Sequence, residues 1–161
     1  SEMCIRDSYY LARTSNGSTL SRVVTASIMS RVDPRHSWSV YQDALMADLD
    51  DTQGGTTQEG IHLGAMCGTL DVVQRAYAGV QVLTNCIQLE PSMPEELKSV
   101  GFEVQYHGQL LDVFIDATRV RLSARSKKAS AVRVRVGDFE TVLPGGESCE
   151  YRLEDLHAVK R

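Results

Sequence analysis

The sequence predicts an α+β fold laid out in chain order, with helices first and a small antiparallel β-sandwich after them. Two observations carry this. Apolar residues recur at helical spacing up to about residue 86 and alternate beyond it. Turn signals then punctuate the second half at short intervals, as in compact all-β units. Neither an internal repeat nor a low-complexity tract interrupts the pattern.

The first helix is expected from about Ser18 to Val32. Leu20, Val23, Val24, Ser27 and Ile28 form its i, i+3, i+4, i+7, i+8 stripe, and Asn16-Gly17 is a turn signal ahead of it. The second opens at Asp33-Pro34, an N-cap followed by proline at the first helical position. Trp38, Tyr41, Leu45 and Leu49 carry its stripe, and Asp48-Leu49-Asp50-Asp51 leads into the loop Gln53-Gly54-Gly55. The third is expected over about 58–78. Thr56 and Glu59 have the spacing of a capping box, in which each side chain satisfies a free backbone N–H of the other. His62, Ala65, Met66, Thr69, Leu70, Val73 and Tyr77 form its stripe, and Gly79 is placed to stop it. Gly64 and Ala65 suit close helix packing, while Ile61, Leu63 and Val72 fall partly off the stripe.

The proline-punctuated run Leu89-Glu90-Pro91-Ser92-Met93-Pro94 reads as a connector. Six short strands follow, centred on Phe102–Tyr106, Leu111–Ile115, Val120–Ala124, Val132–Val136, Phe139–Leu143 and Cys149–Leu153. His107-Gly108, Gly137-Asp138 and Pro144-Gly145-Gly146 supply turns between them. The expected organisation is a helical segment over 9–85, a linker over 86–98, a β-domain over 99–153 and a tail over 154–161. Ser1–Ser8 shows no period of either kind and reads as the translation of a sequencing-library adapter; a frayed natural terminus is the alternative.

At 161 residues the chain has room for one real core or two small ones, and 42% hydrophobic with 24% charged residues is ordinary for a globular protein. The net charge of −4 argues against a nucleic-acid partner, which needs a basic face. No apolar run approaches the roughly 20 residues of a membrane span, so no membrane partner is expected. Cys4, Cys67, Cys86 and Cys149 are scattered, which fits free thiols in a reducing, cytoplasmic setting. His36, His62, His107 and His157 lie in separate elements without ligand spacing, so no metal site is expected.

Two segments are candidates for chemistry. Arg13-Thr14-Ser15-Asn16-Gly17-Ser18-Thr19 places hydroxyls and free backbone N–H groups at a helix start, where anions are favoured. Plain capping by Ser15 or Ser18 accounts for the same residues. Glu59-Gly60-Ile61-His62 puts His62 one turn into the third helix, on its apolar stripe. A lone histidine there is more often a satisfied core residue. Three helices with apolar residues on several faces also need partners, so the chain is expected to be part of a larger fold. A stand-alone module would hide all three stripes internally.

Several blocks carry a resemblance. Arg13-Thr14, Gly17-Ser18-Thr19-Leu20-Ser21, Asp48-Leu49-Asp50-Asp51 and Thr57-Gln58-Glu59-Gly60-Ile61-His62 resemble, in order, consecutive blocks of glycoside hydrolase family 65. So do Leu89-x-Pro91-x-x-Pro94 and Tyr106-x-Gly108, and the similarity runs from about Tyr9 to Tyr151. This family holds the maltose, trehalose and kojibiose phosphorylases and the acid trehalases. The resemblance implies a six-hairpin (α/α) barrel, of which the chain would hold the last helices, followed by a C-terminal β-sandwich. It implies a C-terminal fragment of an inverting α-glucoside phosphorylase that transfers glucosyl to inorganic phosphate. Ser18, Thr19 and His62 match the family's phosphate contacts. The catalytic glutamate and further phosphate-holding residues match blocks upstream, so no catalytic residue is assigned in this chain. The implied partners are an α-glucosidic disaccharide and inorganic phosphate as co-substrate, with no other cofactor, in a homodimeric parent enzyme. Where the family often has His-Asp or His-Gly, this chain reads Asn16-Gly17, which leaves its ligand preference open. The alternatives are a trehalase-type hydrolase, a relative acting on a phosphorylated sugar, and a non-catalytic carbohydrate-associated module.

Overall fold

A computed structural model describes residues 18–51, 54, 55, 58 and 60–158. The expected capping box Thr56–Glu59, the segment from Arg13 to Gly17 and Ser1–Ser8 lie outside the described residues. The chain divides into a helical unit that ends at Val72 and a strand unit that begins at Val73.

The helical unit contains α1 (Thr19–Met29), α2 (Pro34–Met46) and α3 (Leu63–Asp71). Two of the expected caps form: Ser18 accepts from Leu20 N–H, and Asp33 accepts from His36 N–H at 3.0 Å with Pro34 in the first turn. The short connection over 30–33 folds α2 back along α1, and Ser37 Oγ donates to the Ala26 carbonyl at 2.6 Å across the pair.

The expected stripes need correction. On α1 the buried residues are Thr19, Val23, Ala26 and Met29, while Leu20 is 49% and Ile28 61% exposed. On α2 they are Ser37, Tyr41 and Ala44, and Leu49 is exposed. The small side chains turn inward because they allow close helix contact, which leaves a second apolar face outward. The third helix starts later than expected, at Leu63, and gives way after Asp71 to a π-helical turn, Val72–Tyr77, closed by Ala78 N–H to the Val73 carbonyl at 2.9 Å. His62 is therefore the N-cap residue and not one turn inside. Gly68, not Gly64, is the close-packing glycine: among the described residues no atom lies within 4 Å of a Cβ at Gly64.

The strand unit holds β1 (Val80–Val82), β2 (Ile87–Leu89), β3 (Ser99–Tyr106), β4 (Gln109–Asp116), β5 (Arg119–Ala124), β6 (Val132–Val136), β7 (Phe139–Leu143), β8 (Ser148–Arg152) and α4 (Leu153–Ala158). Two four-stranded sheets form, ordered β1-β2-β6-β7 and β3-β4-β5-β8. The six expected strands are β3 to β8. The linker expected over 86–98 is a correction, because β2 lies within it with Ile87 and Leu89 fully buried. The β2–β6 pairing is also parallel, the one departure from an antiparallel arrangement among the described strand pairs. The tail is ordered through α4, which places Leu156 in the core.

Strand alternation builds this core. Leu111, Val113 and Ile115 of β4, Val120 and Leu122 of β5, and Val134 and Val136 of β6 all point inward. Each such side chain contributes about 1.5–3 kcal/mol on full burial. His107 (φ 48°) and Gly108 (φ 76°) turn β3 into β4 in a two-residue hairpin loop whose positive φ values favour glycine at the second place.

Candidate functional site

The site forms at one end of the helical unit. Since α1 and α2 make a hairpin, the start of α1 and the end of α2 lie at that same end. Ser18 caps α1 with its hydroxyl 3.3 Å from Leu20 N, and Thr19 in the first turn is buried. Past the end of α2, one more turn over 47–50 is closed by Asp50 N–H to the Met46 carbonyl at 2.9 Å. That turn carries Asp48 inward, on the same face as Tyr41 and Ala44.

Asp48 and His62 meet there through two hydrogen bonds. The His62 backbone N–H donates to Asp48 Oδ2 at 2.8 Å, and His62 Nδ1 lies 2.7 Å from Asp48 Oδ1. The Asp48 side chain is 3% exposed and that of His62 37%. The ring bond from His62 is the largest cause holding the Asp48 carboxyl below its ordinary value, followed by the backbone bond, and burial opposes both. An ionised carboxylate only accepts, so Nδ1 carries a proton and Nε2 is the ring atom left for another partner. The His62 carbonyl meanwhile accepts from Ala65 and Met66 N–H at 2.9 and 3.1 Å, which starts α3 without a capping bond from the His62 side chain itself.

Of the three residues expected at the site, then, His62 is held by a partner and Ser18 and Thr19 share its end of the unit. Among the described residues no hydrogen bond joins His62 to either hydroxyl. His62 is half-exposed at a helix start and not a core histidine. Asp48 was legible only as part of an acidic run. A sharper signal existed in its spacing, since Tyr41, Ala44 and Asp48 recur at i, i+3 and i+7, and a charge on a buried stripe needs a partner. No metal-ligating cluster occurs among the described residues, and no helix there is long and apolar enough to cross a membrane.

Comparison with known proteins agrees with this layout. The family model for the central catalytic domain of glycosyl hydrolase family 65 matches residues 2–71, and the model for the C-terminal domain of the same family matches residues 80–143. The chain belongs to glycosyl hydrolase family 65. The first match begins at Glu2, inside the segment set aside above as adapter sequence. An uncharacterized glycosyl hydrolase of Mycobacterium tuberculosis is 41% identical over 142 residues, covering 88% of this chain and 11% of that protein. The trehalose 6-phosphate phosphorylase of Lactococcus lactis is 32% identical over 147 residues, covering 91% of this chain and 19% of that protein. A human-microbiome protein with a provisional kojibiose phosphorylase name has a solved structure that superposes with a TM-score of 0.76 at 22% identity, over 91% of this chain and 19% of that one. That similarity shows the fold. The chain therefore spans less than a fifth of the length of each of these relatives, and the family's enzymes are glycoside phosphorylases and hydrolases.

Proposed function

We propose that this chain is the C-terminal part of an inverting α-glucoside phosphorylase, and that Ser18, Thr19 and His62 contact inorganic phosphate in the parent enzyme. The observation that carries the reading is His62 with Nδ1 tied to a buried carboxylate and Nε2 without a hydrogen-bond partner among the described residues, at the end of the unit where α1 begins. Phosphate arrives already anionic, so attack on the sugar needs no protein base to deprotonate a water; positioning and charge compensation carry that side of the reaction. The opposite face requires a carboxylic acid to protonate the leaving oxygen, supplied by a glutamate outside this chain. The exposed apolar faces of α1 and α3 (Leu20, Ile28, Leu63 and Leu70) support burial of this unit against the rest of an (α/α) barrel.

The test is His62→Ala in the longer protein that carries this segment. KM for phosphate should rise at least tenfold while KM for the disaccharide stays within about twofold. Loss of stability with an unchanged phosphate KM would leave His62 as a structural residue and overturn the assignment.

A second reading has its own support. The Lactococcus lactis relative, at 32% identity, is named for a phosphorylated disaccharide, so trehalose 6-phosphate belongs among the substrates assayed with trehalose, maltose and kojibiose.

A further inference from the structure

The Asp48 carboxylate sits in an unusual position for a capping group. It lies on the element before α3, it is almost wholly buried, and both of its oxygens are spent on one residue. Oδ2 takes the backbone N–H of His62 and Oδ1 takes the ring, so the ring is fixed relative to its own backbone. A buried carboxylate requires pairing, and among the described residues His62 is the partner it has. A carboxylate that only capped α3 would need one of these bonds. The second bond orients an imidazole and chooses its tautomer, the arrangement by which carboxylates set histidines in metal sites and catalytic triads.

We infer that Asp48 is a positioning residue for the anion site: it holds His62 with the proton on Nδ1, so that Nε2 is kept as an acceptor for the P–O–H group of hydrogen phosphate, a role that a proton on Nε2 would remove. The inference rests on the phosphate reading above. Asp48 touches neither phosphate nor sugar and acts through His62 alone. Its carboxyl, held below the ordinary range mainly by the ring bond, stays ionised at neutral pH and keeps accepting that proton.

Asp48→Asn separates orientation from capping. The asparagine oxygen still takes the His62 backbone N–H, but its NH2 then faces Nδ1. A neutral His62 must accept there and carry its proton on Nε2. Long-range 1H–15N correlation on the labelled chain reads the tautomer directly. In the longer protein, steady-state kinetics of Asp48→Asn are compared with those of His62→Ala. The expected result is an Nδ1-protonated His62 in the wild type, an Nε2-protonated one in Asp48→Asn, and a phosphate KM raised about tenfold or more in both variants with the disaccharide KM unchanged. An Nε2-protonated wild-type His62 would overturn the inference, and that measurement stands even if the variant fails to fold. A phosphate KM raised in His62→Ala but unmoved in Asp48→Asn would overturn the role of Asp48 and leave the phosphate reading intact. An unmoved phosphate KM in both variants would overturn the inference through the phosphate reading it rests on.

Discussion

Gly68 of α3 lies directly against Val23 of α1, and a Cβ added at Gly68 would stand 2.6 Å from Val23 Cγ1. The contact explains why small residues line the inner faces of these helices. Ala65 and Thr69 flank it on α3, with Ala26 one turn along α1.

Gly68→Ala sets two effects against each other. Helix propensity favours alanine by about 0.5–1 kcal/mol. The new methyl, however, meets a β-branched, buried neighbour that has almost one rotamer in a helix. Overpacking of this kind costs about 1–3 kcal/mol, so the clash wins. Thermal denaturation should show a lower Tm for Gly68→Ala, while Gly64→Ala, with open space around it, should hold or raise it.

Gln109 gives a second test in the strand unit. Its side chain is fully buried, its Nε2 donates to the Ser126 carbonyl at 2.9 Å, and its Oε1 accepts from Ser126 N–H at 2.9 Å. The carbonyl keeps a second donor, Ala129 N–H at 3.4 Å; Ser126 N–H would be orphaned by Gln109→Leu. One buried unsatisfied donor costs about 1–3 kcal/mol. Chemical denaturation of Gln109→Leu should show a loss of that size, and a neutral result would mean that water reaches Ser126.

Acid should act at Asp116. The Thr118 hydroxyl bonds it at 2.7 Å, with Thr118 N–H at 2.8 Å and Arg119 N–H at 3.0 Å, and these bonds, the hydroxyl foremost, hold its pKa at about 2 against an ordinary 3.8. The folded value lies below the unfolded one. The stabilisation is therefore complete above about pH 4 and is lost as pH falls towards 2. Unfolding free energies of wild type and Asp116→Asn should differ by a constant amount at neutral pH and converge as pH approaches 2. A constant difference across that window would contradict the turn geometry between β4 and β5.

Much of the fold was legible in the sequence because alternation survives in strands of five or more residues with one buried face, as in Leu111, Val113 and Ile115. Three-residue strands carry too few positions for a period, and β1 and β2 went unread even though Ile87 and Leu89 alternate. Helix existence was also legible, but not which face turns inward. Leu20 and Ile28 are as apolar as Val23, and the choice falls to the small residues Ala26 and Ala44 that permit close approach. His62 was legible as a candidate through resemblance. Its contact with Asp48, fourteen residues away, depends on how a loop returns to the end of α2, which no local pattern encodes.

The chain alone is expected to be inactive. On the proposed reading the general acid is a glutamate outside the chain, and general acid catalysis contributes on the order of 10²–10⁴-fold. Incubating the purified 161-residue chain with trehalose, maltose or kojibiose and phosphate should release no glucose 1-phosphate above background. Robust release would show that this chain holds a complete site.

The central claim is that phosphate is the nucleophile, and the most direct measurement is the phosphate dependence of disaccharide cleavage by the longer protein. Cleavage is followed with and without inorganic phosphate, scoring glucose 1-phosphate and free glucose separately. The account predicts cleavage that requires phosphate and yields one glucose 1-phosphate per bond broken. Cleavage at the same rate without phosphate, giving free glucose alone, would contradict it and make the parent a hydrolase.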